Sequence, residues 1–194
     1  KAIQLKPDLI ESHYNLGNIL KDIGKLKEAE IFIRKTISLK SNFAEAHYNL
    51  GNILIELNQL KEAEIATRKA IEVKPDFASA YNNLGTILLG LGQLQKAEIA
   101  IRKALIIKPD YAIAYANLGK ILKDIGNLNE AEISTRKAIE LNPDFADAHS
   151  NLGTILNDLG NLQEAEISTR KAIEISPNSV NSYFNLGEIL LEMN

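Results

Sequence analysis

Apolar residues recur through the chain at spacings of three and four, in short stretches separated by polar turns. Between residues 44 and 57 the apolar positions of one stretch are Ala46, Leu50, Ile53, Leu54 and Leu57. A second stretch, between residues 60 and 74, carries Ala63, Ala70, Ile71 and Val73. This spacing predicts two amphipathic helices, each with one apolar face. The second helix should end before Pro75, because proline lacks an amide hydrogen and clashes with the preceding turn.

The whole pattern repeats every 34 residues. Glycine follows Asn-Leu at the same position of each copy: Gly17, Gly51, Gly85, Gly119, Gly153 and Gly187. Proline keeps the same step at Pro7, Pro75, Pro109, Pro143 and Pro177, with Ser41 as the exception. A fixed period of this length is typical of one helix hairpin that is copied and stacked, each copy burying its apolar face against its neighbours.

Turn residues mark the ends of the helices. Glycine or asparagine follows the first helix at Gly24, Asn58, Gly92, Gly126 and Gly160. Both residue types favour the left-handed conformation that ends a helix. Aspartate or asparagine follows the proline position at Asp8, Asn42, Asp76, Asp110, Asp144 and Asn178. We expect these side chains to cap the next helix, and Asn42 with Glu45 has the spacing of a capping box.

The repeated glycine lies inside the first helix of each hairpin, where glycine costs about 1 kcal/mol relative to alanine. Its recurrence in every copy indicates that the second helix crosses close by. The expected contacts are alanines near the start of the second helix: Ala29, Ala63, Ala97, Ala131 and Ala165.

The pattern resembles the tetratricopeptide repeat (TPR) family over the whole chain. The resemblance rests on the Leu-Gly pair, the following leucine, the alanine of the second helix, the closing proline, and one aromatic or histidine position. That last position reads His13, His47, Tyr81, Tyr115, His149 and Tyr183. In one departure from the family, a usually bulky position of the second helix is Thr67, Thr135 and Thr169 here, but Ile33 and Ile101 elsewhere. The resemblance implies an all-α fold, a right-handed α-solenoid of stacked helix-turn-helix hairpins whose first helices line a concave, ligand-binding groove.

The period predicts five full repeats between two partial ones. The full repeats are residues 10–43, 44–77, 78–111, 112–145 and 146–179. Residues 1–9 should be the end of a preceding second helix. Residues 180–194 should be the first helix of a sixth repeat or a capping helix.

Composition narrows the classes of partner. A net charge of −3 does not favour nucleic acid, and no apolar run approaches the ~20 residues that a membrane span needs. The absence of cysteine excludes disulfides, zinc–thiolate sites and thiol catalysis. The chain opens on Lys1-Ala2-Ile3, without the features of a signal peptide. We therefore expect a cytoplasmic protein that binds neither nucleic acid nor membranes.

No residue pattern indicates catalysis, a metal or a cofactor, so we expect that the chain is not an enzyme. His13, His47 and His149 share a position with tyrosines of other copies, which indicates half-buried packing residues rather than ligands. The motifs HExxH, GxGxxG and GxSxG and the P-loop are absent. Glutamate lies four residues before arginine in each second helix, as at Glu30 and Arg34, which favours surface ion pairs on a solvated outer face.

The most regular candidate for ligand binding is a row of asparagines on the first helices: Asn15, Asn49, Asn83, Asn117, Asn151 and Asn185. Asparagine is a mediocre helix former, so six copies need a reason. An amide offers two donors and an acceptor, and a row of amides can hold a peptide backbone of any sequence. Alternatively, each asparagine bridges to the neighbouring repeat and holds the stack. The two interpretations are compatible. The row also resembles the TPR part of O-linked N-acetylglucosamine transferases, where it contacts the substrate backbone.

Positions beside the asparagines differ between copies, and we expect specificity to lie there. The predicted site adds the flanking residues Tyr14, Tyr48, Asn18, Asn52, Asn82, Thr86 and Lys120. Acids outnumber bases on the first helices, so the expected partner is a neutral to basic protein or peptide.

The last helix carries an apolar stripe: Tyr183, Leu186, Ile189, Leu190 and Met193. Because no later helix covers it, we predict possible end-to-end self-association of copies. Two function classes follow: a protein–protein interaction scaffold that binds an extended peptide or partner helix, and a substrate-recruiting arm of a larger enzyme such as a glycosyltransferase. An idealised array without an evolved ligand is a third possibility.

Overall fold

The computed structural model describes residues 9–193, which form eleven helices and no strand. The helices are α1 (Ile10–Asp22), α2 (Leu26–Leu39), α3 (Ala44–Glu56), α4 (Leu60–Val73), α5 (Ala78–Gly90), α6 (Leu94–Ile107), α7 (Ala112–Ile125), α8 (Leu128–Leu141), α9 (Ala146–Asp158), α10 (Leu162–Ile175) and α11 (Val180–Glu192). Odd-numbered helices are the first helices of the hairpins and even-numbered ones the second. The predicted all-α solenoid of helix hairpins is confirmed.

The chain divides into two compact units, residues 1–93 and 94–194, here called the N-terminal and C-terminal units. In the N-terminal unit each of α1 to α4 packs against the next helix along the chain. First helices also contact one another, α1 with α3 and α3 with α5. The C-terminal unit repeats this arrangement from α6 to α11, with α7 against α9 and α9 against α11. Contacts are therefore local in sequence, as expected of stacked repeats.

In α3, α5, α7 and α9 an isoleucine and the leucine that follows it are buried between the surrounding helices. Ile53 and Leu54 of α3 are at most 1% exposed, as are Ile121 and Leu122 of α7. Burial of one such side chain stabilises the fold by roughly 1.5–3 kcal/mol. The alanines near the start of the second helices are fully buried, for example Ala63 at 0%.

The repeated glycine does lie where the two helices of a hairpin meet, but its main contact is not the alanine. A Cβ built on Gly51 would lie 2.4 Å from Thr67 Oγ1, and one on Gly119 would lie 2.0 Å from Thr135 Oγ1. The threonine in contact lies four positions after the predicted alanine. The carbonyl oxygen of that alanine is farther from the glycine than the threonine hydroxyl is. One helical turn separates the two positions, and the larger side chain reaches the glycine first. The threonines that depart from the family pattern therefore fill the space that glycine leaves.

The helix ends confirm one prediction and correct another. Gly24, Gly92, Gly126 and Gly160 have φ between 72° and 92°, and Asn58 has φ 58°, so the left-handed residues are confirmed.

The capping prediction is wrong for α3, because the N-cap residue is Phe43 rather than Asn42 and makes no side-chain cap bond. Its carbonyl oxygen accepts hydrogen bonds from Ala46 and His47 instead. The aromatic ring packs against Tyr14 of α1, the preceding first helix, so packing decides this position. Asp8 lies outside the described residues.

The apolar stripe predicted on α11 is only partly exposed. Tyr183 is 53% and Met193 38% exposed, whereas Ile189 is buried at 1%, so its prediction as an uncovered residue is wrong. Ile189 belongs to a buried cluster with Leu156 of α9. Phe184 and Leu191, outside the predicted stripe, are 64% and 79% exposed.

Candidate functional site

Two of the repeated asparagines in the N-terminal unit donate hydrogen bonds to the preceding repeat. Asn49 Nδ2 of α3 donates to Asn18 Oδ1 at 2.7 Å and to the Tyr14 hydroxyl at 3.0 Å, both on α1. Asn83 Nδ2 of α5 donates to Asn52 Oδ1 of α3. These bonds tie each first helix to the one before it. The carbonyl oxygens of Asn49 and Asn83 take no part in them.

Aromatic contacts support the same face of the N-terminal unit. The rings of Tyr14 and Phe43 lie 4.8 Å apart, and so do those of Tyr48 and Phe77. Lys74 Nζ lies 4.9 Å from the centre of the Phe77 ring, within cation–π range. The predicted aromatic side chains Tyr14 and Tyr48 therefore pack against the residue at the start of the next first helix and are half-buried.

In the C-terminal unit the asparagines line a groove. The groove has a volume of about 550 Å³ and runs across α7, α9 and α11. Its lining includes one asparagine from each of these helices, Asn117, Asn151 and Asn185. Asn185 Nδ2 also donates to Ser150 Oγ of α9 at 3.1 Å. Ala116 and Ser150 stand in this groove at the positions that Tyr14 and Tyr48 occupy in the N-terminal unit, so smaller side chains leave the space open.

The remaining predicted residues differ in accessibility. Asn15, Thr86 and Lys120 are exposed, and Lys120 also lines the groove. Asn82 is only 5% exposed and so offers a ligand little surface. The groove also contains Phe145 and Asp147, which the sequence analysis did not select. Phe145 had a signal in the sequence, since an aromatic residue recurs two positions after the proline at Phe77, Tyr111 and Phe145.

Ion pairs on the second helices link consecutive repeats. Arg34 bonds Glu30 of its own helix at 2.8 Å and Glu62 of α4 at 2.9 Å. Arg136 does the same with Glu132 at 2.9 Å and Glu164 of α10 at 2.7 Å. The predicted Glu-to-Arg pairs are confirmed.

These hydrogen bonds also act on two guanidinium groups of the C-terminal unit. The bond to Glu130, and then that to Glu98, holds the pKa of Arg102 above its usual range. The bond to Glu164 does the same for the pKa of Arg136. Both groups stay charged, and the pairs occupy the second-helix face rather than the groove.

Two equivalent grooves open on this second-helix face, one in each unit. The groove between α2 and α4 has a volume of about 720 Å³, and that between α8 and α10 about 480 Å³. His47, Leu50 and Ile65 line the first groove, and their equivalents His149, Leu152 and Ile167 line the second. Their inner surfaces are largely apolar, and charged side chains that line them, such as Arg34 and Glu62, pair with each other. The asparagine-lined groove is the better candidate site.

The histidines make structural hydrogen bonds. His47 Nε2 bonds the Ser41 carbonyl oxygen at 2.8 Å, and His149 Nε2 bonds that of Pro143 at 2.9 Å. Among residues 9–193, no group of three or more histidine, aspartate and glutamate side chains could hold a metal ion. No helix in the same range is long and apolar enough to cross a lipid bilayer.

Stacked helix hairpins with a polar groove across their first helices define a repeat protein of the interaction-scaffold class. Family models described as tetratricopeptide repeat match residues 10–43, 44–77, 66–99, 112–145, 135–167 and 169–194. The chain therefore belongs to the tetratricopeptide repeat family. Proteins of this family are typically non-enzymatic scaffolds for protein partners.

Comparison with curated protein sequences finds no match. Among solved structures, YrrB, described as a TPR protein with an unusual peptide-binding site, is 28% identical, with 95% of each chain covered and a TM-score of 0.71. TTC0263 of Thermus thermophilus, a thermophilic TPR protein, is 22% identical, with 94% of this chain and 99% of its own covered and a TM-score of 0.78. MamA is 24% identical, with 83% and 94% covered and a TM-score of 0.72. The last two likenesses concern the fold alone.

Proposed function

We propose that this chain is a protein-interaction scaffold that holds an extended peptide or a partner helix in the groove of the C-terminal unit. The observation that carries the proposal is that Asn117, Asn151 and Asn185 line one groove, one from each of three successive first helices. Amides at repeating positions can donate to and accept from the peptide groups of an extended segment. The peptide-binding site named for YrrB supports this interpretation, since that protein is similar over almost its whole length.

The partner should be neutral to basic. Asp124 and Asp147 add carboxylates to the groove, and Lys123 is already paired with Asp158 at 3.3 Å. Charges around a groove act chiefly on the rate of association and on the choice of partner. The chain itself supplies binding without catalysis. In the second function predicted from the sequence, a substrate-recruiting arm of a larger enzyme such as a glycosyltransferase, the groove would hold the substrate in the same way.

Selection of a random peptide library on the purified chain tests the proposal. Peptides selected on the wild type should bind at least tenfold more weakly to the double variant Asn117→Ala, Asn151→Ala, since each lost amide removes hydrogen bonds of about 1 kcal/mol. Fluorescence anisotropy measures the affinity. Asn129→Ala, an exposed asparagine of α8, is the matched control and should bind as the wild type does.

Circular dichroism of the double variant decides between binding and folding. An unchanged helical signal with lost binding supports the proposal. Wild-type affinity in the double variant, or loss of its helical signal, would contradict it.

We also propose that copies associate through the exposed end of α11. Tyr183, Phe184 and Leu191 place three large apolar side chains on one helix, each more than half exposed. Replacing Phe184 and Leu191 by serine should lower the mass that light scattering measures at high concentration. A wild-type mass that stays monomeric at every concentration would refute this association.

A further inference from the structure

A small polar pocket of about 190 Å³ continues from the groove of the C-terminal unit. Its lining residues come from α7, α9 and α11: Lys123, Thr154, Asn157, Asp158, Asn185, Glu188 and Ile189. Lys123, Thr154 and Asn185 line both the pocket and the groove. A side chain of a segment bound in the groove can therefore enter the pocket.

The charged groups of the pocket favour a positive ligand. Asp158 and Glu188 supply two carboxylates, and Lys123 supplies one ammonium group. Lys123 Nζ lies 3.3 Å from Asp158 Oδ2, so these two charges neutralise each other. The carboxylate of Glu188 remains as the net charge of the pocket.

One acceptor in the pocket lacks a donor. Asn157 Nδ2 donates to Glu192 Oε1 at 3.1 Å, whereas Asn157 Oδ1 is buried and has no hydrogen-bond partner. A buried carbonyl oxygen without a donor is unfavourable, and such atoms are uncommon in folded proteins. The oxygen itself has almost no accessible surface, so the acceptors that a ligand can reach are those of the other side chains that line the pocket.

The Thr154 hydroxyl and one N–H of Asn185 are already engaged in hydrogen bonds. The Thr154 hydroxyl donates to the Asn151 carbonyl oxygen at 2.9 Å, and Asn185 Nδ2 donates to Ser150 Oγ at 3.1 Å. Both keep an oxygen that can accept a further hydrogen bond. The pocket therefore has its acceptors on α9 and α11, while the one residue from α7, Lys123, is paired with Asp158.

We infer that this pocket binds the guanidinium or ammonium group of an arginine or lysine in the segment that lies in the groove. Arginine should bind more tightly than lysine, since its five N–H donors suit several acceptors at once. The pocket has room for roughly six water molecules at ~30 Å³ each, which is enough for a guanidinium group. This inference rests on the proposed function and assigns a specificity to one end of the groove.

The test uses a peptide selected on the wild-type chain, synthesised with arginine, lysine, citrulline or norleucine at its basic position. Glu188→Gln should weaken binding of the arginine peptide about tenfold, as expected for a lost charged hydrogen bond, and leave the citrulline peptide unchanged. Lys123→Met should strengthen binding of the arginine peptide severalfold, because it removes the competing cation. Glu174→Gln is the matched control, since Glu174 pairs with Lys171 on α10 away from the groove, and it should have no effect.

The outcomes separate this inference from the proposed function. Equal affinity for the arginine and citrulline peptides, or no enriched basic position among the selected peptides, would overturn the inference and leave the proposed function standing. Failure to select any peptide would overturn both. A preference for arginine that Glu188→Gln does not reduce would place the basic side chain elsewhere and would also overturn the inference.

Discussion

The asparagines of the N-terminal and C-terminal units occupy the same repeat position but have different surroundings. In the N-terminal unit Asn49 and Asn83 donate to Asn18 and Asn52 of the preceding repeat. In the C-terminal unit Asn185 still donates to Ser150 of the preceding repeat. However, Lys120 stands at the position of Asn18 and Asn52, and the asparagines line a groove.

A residue repeated throughout the array therefore need not have one role. The side chain one position before each asparagine is tyrosine in α1 and α3, where it packs against the phenylalanine at the N-cap of the next first helix. At the same position α7 and α9 have Ala116 and Ser150, which leave space open. Neighbouring side chains therefore decide whether the same amide is enclosed between first helices or lines an open groove.

The largest expected effect concerns the glycines on which both units depend. Gly119→Ala should destabilise the fold by about 1–2 kcal/mol, because its Cβ would lie 2.0 Å from Thr135 Oγ1 and 3.1 Å from the Ala131 carbonyl oxygen. Gly51→Ala should cost less, since the only close atom is the Thr67 hydroxyl, which can rotate. Urea denaturation followed by circular dichroism measures both.

Gly187→Ala serves as the control, because no atom lies within 4 Å of its Cβ. The gain in helix propensity should stabilise the chain by up to about 1 kcal/mol. Equal losses in all three variants would show that packing at the glycine does not differ between hairpins.

Alanine substitutions of the asparagines test directly whether the two units use this residue differently. Asn49→Ala removes two hydrogen bonds and leaves the half-buried Asn18 carbonyl oxygen without its donor, so it should cost about 1–2 kcal/mol of stability. Asn151→Ala should change stability by less than about 0.5 kcal/mol and act on peptide affinity instead. Amide hydrogen exchange, which localises the loss to α1 and α3, checks the first prediction. Similar stability losses for both variants would remove the distinction between the units.

A smaller difference between the units lies in their buried threonines. Thr135 Oγ1 donates to the Ala131 carbonyl oxygen at 2.8 Å, whereas Thr67 Oγ1 is buried without a partner. Thr67→Val should therefore stabilise the chain by about 0.5–1 kcal/mol, and Thr135→Val should destabilise it by a similar amount. Opposite shifts of the urea midpoint support the prediction, and shifts of the same sign would refute it.

The smallest effect should be common to the two units. Arg34→Gln and Arg136→Gln each remove a link between repeats that is about half exposed, so each should cost less than about 1 kcal/mol, and the cost should shrink in 1 M NaCl. Because pairing raises the pKa of Arg136, its contribution is present below the unfolded pKa of arginine and is lost only as pH rises through the higher folded value. The cost of Arg136→Gln should hence be the same at pH 6 and pH 9. A stability cost of Arg136→Gln that changed between pH 6 and pH 9 would contradict the raised pKa of Arg136.

The sequence predicts the scaffold well because its determinants are local. Apolar spacing, a proline and a left-handed residue each act within one or two turns of helix, and all three place the ends of α4 correctly. The N-cap of α3 differs from the prediction because packing of Phe43 against Tyr14 of α1 outweighs the local propensity of asparagine.

The candidate site was less predictable, because it depends on contacts between repeats. The partners of Asn49 lie 31 and 35 residues earlier in the chain, and their reach depends on side-chain length. The local hydrophobic pattern does not show which side chains of one repeat reach those of the next. The opening of the groove depends in the same way on small side chains beside the asparagines.

The arginine links between second helices bear on how such an array changes its length. Three such links, Arg34 with Glu62, Arg102 with Glu130 and Arg136 with Glu164, use the same two positions of the repeat, whereas Lys96 replaces the glutamate in residues 78–111. A gene duplication that adds a whole copy with both the arginine and the glutamate therefore creates a junction with the same two partners as the old one. Recombination within the gene can therefore lengthen or shorten the array without requiring a new interface between repeats, provided that it inserts or deletes multiples of 34 codons.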